Sequence, residues 1–334
     1  MVGPRRATFA SPGAVRQGWY LMARTSTIGP GRVLPVDLGA RRLIVYRDLD
    51  GRAHVTDDRC PHLGSDLALA RVTPQGLRCD FHGWCWGDDG SCVEAPGNPA
   101  PIHRSLRQHA SEERWGFIWA WTGSEPAFSL PDIPPGLPRQ IVLAPHRLKA
   151  HPDVIFSNGF DLAHFGPSHG IDASTASLDV GRWTIDHRIV GRLSNRKTLR
   201  VVGLGGTELD FSFIQYGGGI VHVHVRKPIQ YLIFFTLRQD AELRARTRTM
   251  LFLRRRADLP RALAILWSTA LDDLRMMERI RWTGAFAPAD AALERYARFV
   301  ERLPLAFAGT SLDPPGAACR AEAHAMASVR GSEG

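Results

Sequence analysis

The sequence predicts an α+β protein of two domains, a small all-β N-terminal domain followed by an antiparallel sheet flanked by helices. Three observations carry this. Short β-branched and aromatic runs crowd the first 125 residues, a proline-rich segment from Pro126 to Pro138 follows, and beyond it a series of strand-like runs lies between two helical stretches. At 334 residues the chain is long enough for two cores. The expected division is a peripheral tail over 1–14, a first domain over 15–133, a second over 134–312, and a flexible tail over 313–334.

Composition sets the outer limits. The chain is 44% hydrophobic and 22% charged, the balance of an ordinary globular protein. No apolar run approaches the ~18 residues of a membrane span. Arg5-Arg6 is followed by Ser11-Pro12-Gly13 and Arg16 rather than by an apolar stretch, so no export signal is expected. Five cysteines, an odd number, argue against a disulfide framework and for a reducing, cytoplasmic setting in which thiolates serve as ligands. The net charge of +9 is almost all arginine, since Lys149, Lys197 and Lys227 are the only lysines. The clusters Arg244 to Arg248 and Arg254-Arg255-Arg256 carry no nucleic-acid motif, and read as a solvated basic face able to steer an acidic electron-carrier protein.

Taken in order, Trp19–Ala23, Leu43–Tyr46 and Ala53–Thr56 read as strands, broken by turns such as Asp48 to Gly51. Trp115 to Trp121 alternates at period two and reads as a core strand of the β-domain with one heavily apolar face. In the second domain Gln140–Leu143, Trp183–Val190, Lys197–Val202, Leu209–Gln215, Ile220–Val225 and Tyr231–Arg238 read as strands, with glycines at 205–206 and 217–219 marking turns. His222 and His224 share one face of their strand, either lining a cavity or lying on a polar sheet surface. Gly203 to Gly206 does not complete a dinucleotide fingerprint, because position 208 is glutamate. Electrons must therefore come from another protein. Asp258 and Pro260 open a helix expected to run to about Trp282.

Cys60-Pro61-His62 and Cys79-Asp80-Phe81-His82 are separated by sixteen residues. Two thiolates and two imidazoles suit either a tetrahedral zinc or a mixed-ligand [2Fe–2S] cluster. Zinc sites usually group like ligands, whereas here each loop offers one sulfur and one nitrogen. That favours the cluster, with both cysteines on one iron and both histidines on the other. Gly64 and Gly83-Trp84 supply tight turns and an apolar cover, while Cys85 and Cys92 read as structural thiols and Cys319 lies in the C-terminal tail.

Asn158, Asp161 and His164 recur every three residues, so a helix would set them in one stripe with Asp161 in reach of the His164 imidazole. His169 follows five residues later, about 140° away on a straight helix. Gly166-Pro167 is expected to break the helix and turn both imidazoles to one point. Further on, Leu266, Ala270, Met277 and Ile280 share a helix face with Asp273, while Asp272 lies with Arg275 and Arg279. Asp272 has a partner there. Asp273, in an apolar stripe, needs a compensating cation. Two histidines and one carboxylate make the facial triad of mononuclear Fe(II), so His164, His169 and Asp273 are the expected ligands of a second iron.

From about Trp19 to Leu303 the chain resembles the Rieske non-haem iron oxygenases, the family of ring-hydroxylating oxygenase α-subunits. The likeness rests on Cys60-Pro-His62, on Cys79-Asp-Phe-His82-Gly-Trp through Gly90-Ser-Cys92, and on Asp161-x₂-His164-x₄-His169 followed by a late Asp273 with Glu278 five residues on. Respiratory Rieske proteins add a cysteine to each loop, at positions occupied here by Ser65 and Phe81, which speaks against a quinol-oxidising subunit. The resemblance implies a helix-grip-like second domain and an oxygenase component that takes electrons from a ferredoxin or its reductase and uses O₂ on a small-molecule substrate. It also implies a head-to-tail homotrimer, in which Asp161 bridges His164 to a cluster histidine of the adjacent subunit while Asn158 assists near the iron. The stretch from His151 to Gly170 looks most like members acting on steroids and other bulky alicyclic molecules. Hydroxylation is the expected reaction. O-demethylation, desaturation or oxidative cyclisation would use the same iron, and a Rieske electron carrier without oxygenase activity is the alternative of a different class.

Overall fold

The computed structural model describes Phe9 and residues 13–307, and at 270–272 and 275 the backbone alone. Arg5-Arg6, Cys319, the 313–334 tail and the pairing of Asp272 with Arg275 fall outside the described residues and side chains.

The N-terminal part contains three small antiparallel sheets. One runs Gln108–His109, Ala53–Asp57, Arg41–Arg47, Val33–Leu38, and a second runs Ser111–Arg114, Phe117–Trp121, Trp19–Arg24. The third, Arg71–Thr73, Gly76–Arg78, Cys85–Trp86, Cys92–Glu94, carries the second Cys–His loop. Val33–Leu38 went unread in the sequence because Pro35 interrupts it; it is an edge strand, where a missing N–H costs nothing.

Beyond the proline-rich segment the chain builds one large antiparallel sheet. Its order is Arg139–Val142, Ala245–Leu253, Tyr231–Gln239, Ile220–Lys227, Glu208–Tyr216, Thr184–Arg192, Asp172–Val180, with Arg147–Leu148 also pairing to Ala245–Leu253. Three of these strands are not legible in the sequence, the two-residue Arg147–Leu148 because it is too short to show a pattern. Asp172–Val180 is a largely exposed polar edge, and Ala245–Leu253 is disguised by its arginines. In that strand Thr247 and Thr249 point inward, while Arg246 pairs with Asp240 at 3.1 Å and Arg248 lies over the Phe117 ring. The Arg244 to Arg248 cluster is therefore partly engaged within the fold.

Four helices pack against the sheet: α1 (Pro152–Ser157), α2 (Lys197–Val201), α3 (Leu259–Met277) and α4 (Ala291–Arg302). The expected strand at Lys197–Val202 is helical instead. Leu199 and Leu204 are buried in one cluster with Ala262 and Ile265 of α3, and that packing overrides a weak β preference. The long helix stops at Met277 rather than near Trp282, and Ile280 is exposed beyond its end. Of the expected peripheral tail, Phe9 packs on Trp282 and Ala14 is buried. The Val15–Arg16 strand pairs with Leu305–Phe307, tying the two ends of the described chain together.

The strand Phe117–Trp121 is apolar on both faces, not one. Ile118 and Ala120 close the N-terminal core, whereas Phe117, Trp119 and Trp121 pack on Leu232, Phe234, Met250 and Phe252 of the large sheet. The tryptophans thus join the two domains. The glycines at 217–219 do more than turn the chain: a Cβ on Gly219 would stand 2.4 Å from the Trp19 carbonyl oxygen, so only glycine admits this approach.

Two outcomes are expected. Trp119 is 0% exposed, and Trp119→Ala should cost about 3–5 kcal/mol in chemical denaturation, because it empties the joint between the domains. Gly159→Ala would place a methyl group 2.2 Å from the Phe213 ring and should destabilise by about 1–3 kcal/mol, with no comparable loss for Gly29→Ala, where no atom lies within 4 Å and the backbone φ is not positive.

Candidate metal centres and substrate cavity

The two Cys–His loops are built alike. In the first, the Cys60 N–H donates to the Ser65 carbonyl and the Gly64 N–H to the Cys60 carbonyl; in the second, Cys79 donates to Trp84 and Gly83 to Cys79. Gly64 and Gly83 both take positive φ (79° and 73°), as such tight returns require. Cys60 and Cys79 are buried, the His62 and His82 rings lie 4.7 Å apart, and Trp84 stacks on His62 at 4.1 Å. Burial, and then the nearby Cys79, push the Cys60 thiol up, so a thiolate there needs a cation. Arg104 donates to the Pro61 and His62 carbonyls at 3.0 Å, and Arg78 to the Gly83 carbonyl at 2.9 Å. These two arginines brace the loops, and no sequence pattern singled them out. Cys85 and Cys92 are free thiols, Cys85 buried and Cys92 partly so.

Among the described residues two groups have three ligand atoms within 4.8 Å of one another: His164, His169 and Asp273, and Asp48, His54 and Asp88. The Cys60, His62, Cys79, His82 set is not so gathered. One tetrahedral zinc, with bonds of about 2.0–2.3 Å, would draw its ligands closer than that. The spread suits a two-iron cluster. In the Asp48 group, His54 Nε2 is hydrogen-bonded to the buried Asp48 at 3.0 Å, and Asp88 is half exposed.

The other triad is held by an irregular backbone. After α1 the chain continues in two tight turns, Asn158–Phe160 and Leu162–His164, and then a single wide π-turn over Phe165–His169. Gly166-Pro167 therefore does not break the helix. It is absorbed by i→i+5 bonding, which brings His169 round toward His164, and Gly170 closes the turn at φ 65°. Arg196 clamps this turn to α3, donating to the Ser168 carbonyl and, at 3.3 Å, to the Ser268 carbonyl. On the other side the His187 Nδ1–H donates to the Gly159 carbonyl at 3.0 Å, since a carbonyl only accepts. Its Nε2 then accepts from Thr175 at 2.9 Å. Burial lowers the His187 pKa and favours this neutral form.

His169 Nε2 lies 2.9 Å and His164 Nε2 3.8 Å from Asp273 Oδ1. Yet neither nitrogen has a hydrogen-bond partner, although both are buried. The three atoms approach one another without aligning N–H to oxygen, as donors aimed at a shared point do. Of the outer atoms only the second Asp273 oxygen is hydrogen-bonded, since neither Nδ1 has a partner. His164 Nδ1 faces Asp161 Oδ2 at 3.4 Å, and the Asn158 amide donates to Asp273 Oδ2 at 2.7 Å. Contact with the His164 imidazole holds the Asp161 carboxyl below its ordinary range. Asp273 thus has a neutral partner in Asn158, which its own helix face did not reveal. These residues fit a facially bound cation. Glu278 stands apart, accepting from the Lys149 backbone N–H at 3.0 Å.

His169 and Asp273 of the triad line a cavity of about 280 Å³ between the inner face of the sheet, the π-turn and α3. Its walls are mostly apolar, with Phe165, Phe211, Phe213, Val223, Ile233 and Phe235 prominent, and Thr247, Thr249 and Thr269 are among the few polar groups. Val223 and Val225 face this space, so His222 and His224 do not line it. His222 is buried on the opposite face, against Tyr216 and Phe234, where burial lowers its pKa to about 3. Which face the histidines took depended on the domain packed behind the sheet.

Residues 18–109 match the family model of the Rieske [2Fe-2S] domain. Cholesterol 7-desaturase of Bombyx mori is 35% identical over 196 residues, 56% of this chain and 42% of that protein. Aminopyrrolnitrin oxygenase of Pseudomonas fluorescens is 28% identical over 242 residues, 61% and 65% of the two chains. The matched stretch thus spans less than two thirds of either relative. Among solved structures, dicamba monooxygenase with non-heme iron and dicamba superposes with a TM-score of 0.63 at 20% identity, covering 86% of this chain and 96% of the other. No described helix is long and apolar enough to cross a membrane. With a matching Rieske [2Fe-2S] domain at one end and a shared fold over most of its length, this chain is similar to proteins named as Rieske oxygenases.

Proposed function

We propose that the protein is an oxygenase component that uses O₂ and externally supplied electrons to oxidise, most simply by hydroxylation, a bulky and largely apolar cyclic substrate. The observation that carries this reading is a buried set of two imidazole nitrogens and one carboxylate oxygen at the wall of an apolar cavity. Cys60, His62, Cys79 and His82 would hold the [2Fe–2S] cluster. His164, His169 and Asp273 would hold mononuclear Fe(II). When bound, the cluster would supply single electrons and the iron would supply O₂ activation.

The chain's own residues do the rest. Asn158 fixes Asp273 through Oδ2 and leaves Oδ1 toward the histidines. Asp161 sets its Oδ2 3.4 Å from His164 Nδ1, a negative charge beside the ring that favours the orientation with Nε2 inward. The cavity walls bind the substrate by apolar contact, keep bulk water off, and leave its orientation to a few hydroxyl groups. The division into a cluster domain over 15–133 and a catalytic domain over 134–312 belongs to this reading. So does a cytoplasmic setting, in keeping with the four free thiols among the described residues.

Asp161 is half-buried, and His82 is exposed beside Phe81, itself 66% exposed, and Leu63. An apolar tip of this kind calls for cover. A head-to-tail homotrimer would supply it and bring His82 of one subunit to Asp161 of the next, with a ferredoxin or its reductase as donor. Desaturation, O-demethylation or oxidative cyclisation would use the same centre. A Rieske electron carrier alone would leave the buried triad and its cavity without a role.

Purified holoprotein is expected to contain about three irons per chain, two in the cluster and one beside the cavity. His164→Ala should bring this to about two and reduce substrate-dependent O₂ uptake at least ~100-fold, with the visible Rieske spectrum intact; full turnover with two irons would sink the proposal. Asp161→Ala should keep the iron content and slow single-turnover oxidation of the reduced cluster about 10–100-fold, with unchanged rates counting against the bridging role.

A further inference from the structure

We propose that the face formed by α2 and the N-terminal half of α3 docks on an anionic lipid bilayer and sets one rim of the apolar cavity against the membrane. The groove between the helices is lined by Val201, Val202, Leu259, Leu263 and Trp267. Val201 is 78% and Trp267 59% exposed, unusual for large apolar side chains. Trp267 also lines the cavity that holds the triad, so the groove and the candidate substrate site share a wall.

Charge names the partner. Lys197 lines this groove, and Arg200, Arg254, Arg255, Arg256 and Arg261, on or next in sequence to the helices that form it, are exposed. None of the six has an ion-pair partner among the described residues, and Asp258 is the one acidic residue described in the segments 196–202 and 254–268. Apolar side chains ringed by unpaired cations match the interface of a membrane, where indole and aliphatic groups enter the headgroup layer and arginines meet lipid phosphates. The cytoplasmic leaflet carries such a charge. An acidic redox protein would match the charge but not the exposed Trp267 and Val201.

A cavity for large apolar molecules whose rim faces the bilayer could take its substrate directly from the lipid phase. The docking surface itself does not rest on the oxygenase reading, and the test reads binding rather than turnover. The full-length holoprotein is sedimented with vesicles of phosphatidylcholine alone and of phosphatidylcholine with phosphatidylserine. About tenfold more protein is expected on the anionic vesicles at low salt, with the excess lost at high salt. Replacing Arg254, Arg255 and Arg256 by glutamate should remove the excess, and Val201→Asp should reduce it several-fold. The same charge change on α4, with Arg295, Arg298 and Arg302 replaced by glutamate, should leave it in place. Each variant is checked for an intact Rieske spectrum. Equal binding to both vesicle types, an equal loss with the α4 variant, or capture of an acidic ferredoxin by this face with no vesicle binding would overturn the proposal.

Discussion

The centre of this molecule is a close approach of three atoms that do not satisfy one another. His164 Nε2, His169 Nε2 and Asp273 Oδ1 are brought together in an apolar surround, and the two nitrogens have no hydrogen-bond partner. Buried polar atoms in that state are costly unless a cation completes them. Everything around them is arranged to hold the approach. Asn158 bonds the outward oxygen of Asp273, Asp161 sets its carboxylate beside His164, Arg196 ties the π-turn to α3, and His187 grips the Gly159 carbonyl. The wide turn over Phe165–His169 is the backbone device that makes it possible, since an α-helix would have pointed His169 away.

The large sheet acts as a partition buried on both sides. Strand alternation sends Tyr231, Ile233 and Phe235 toward the cavity, and Leu232 and Phe234 toward the N-terminal domain. Trp119 and Trp121 fill the second interface, so the cavity wall is backed by a packed core rather than by solvent. The same alternation explains His222, whose pKa is lowered by burial beneath the other domain and which has no access to the cavity.

The legible parts were those whose chemistry is local. Cysteine and histidine on two short loops point to a mixed-ligand site without reference to the fold, and the pattern Asp161-x₂-His164-x₄-His169 points to a second candidate site. Strands with strong apolar content were read nearly in full. The misread elements share one cause, a local preference overruled by long-range packing. Lys197–Val201 became a helix because Leu199 had a buried place beside α3, Val33–Leu38 tolerates Pro35 only as an edge, and Ala245–Leu253 hides behind arginines that find partners elsewhere in the fold.

By itself the sequence determined the kinds of ligand available and their grouping on the chain, because donor type and loop spacing are properties of neighbouring residues. It also marked Asp273 as a buried acid in need of a partner. Only the tertiary structure decided that Asn158 is one such partner, that the histidine turn is a π-turn rather than a break, and that the valines instead of the histidines of 221–225 face the cavity. Each of these depends on contact between segments distant in the chain, up to 115 residues apart for Asn158 and Asp273. No local spacing encodes which of two sheet faces a second domain will cover.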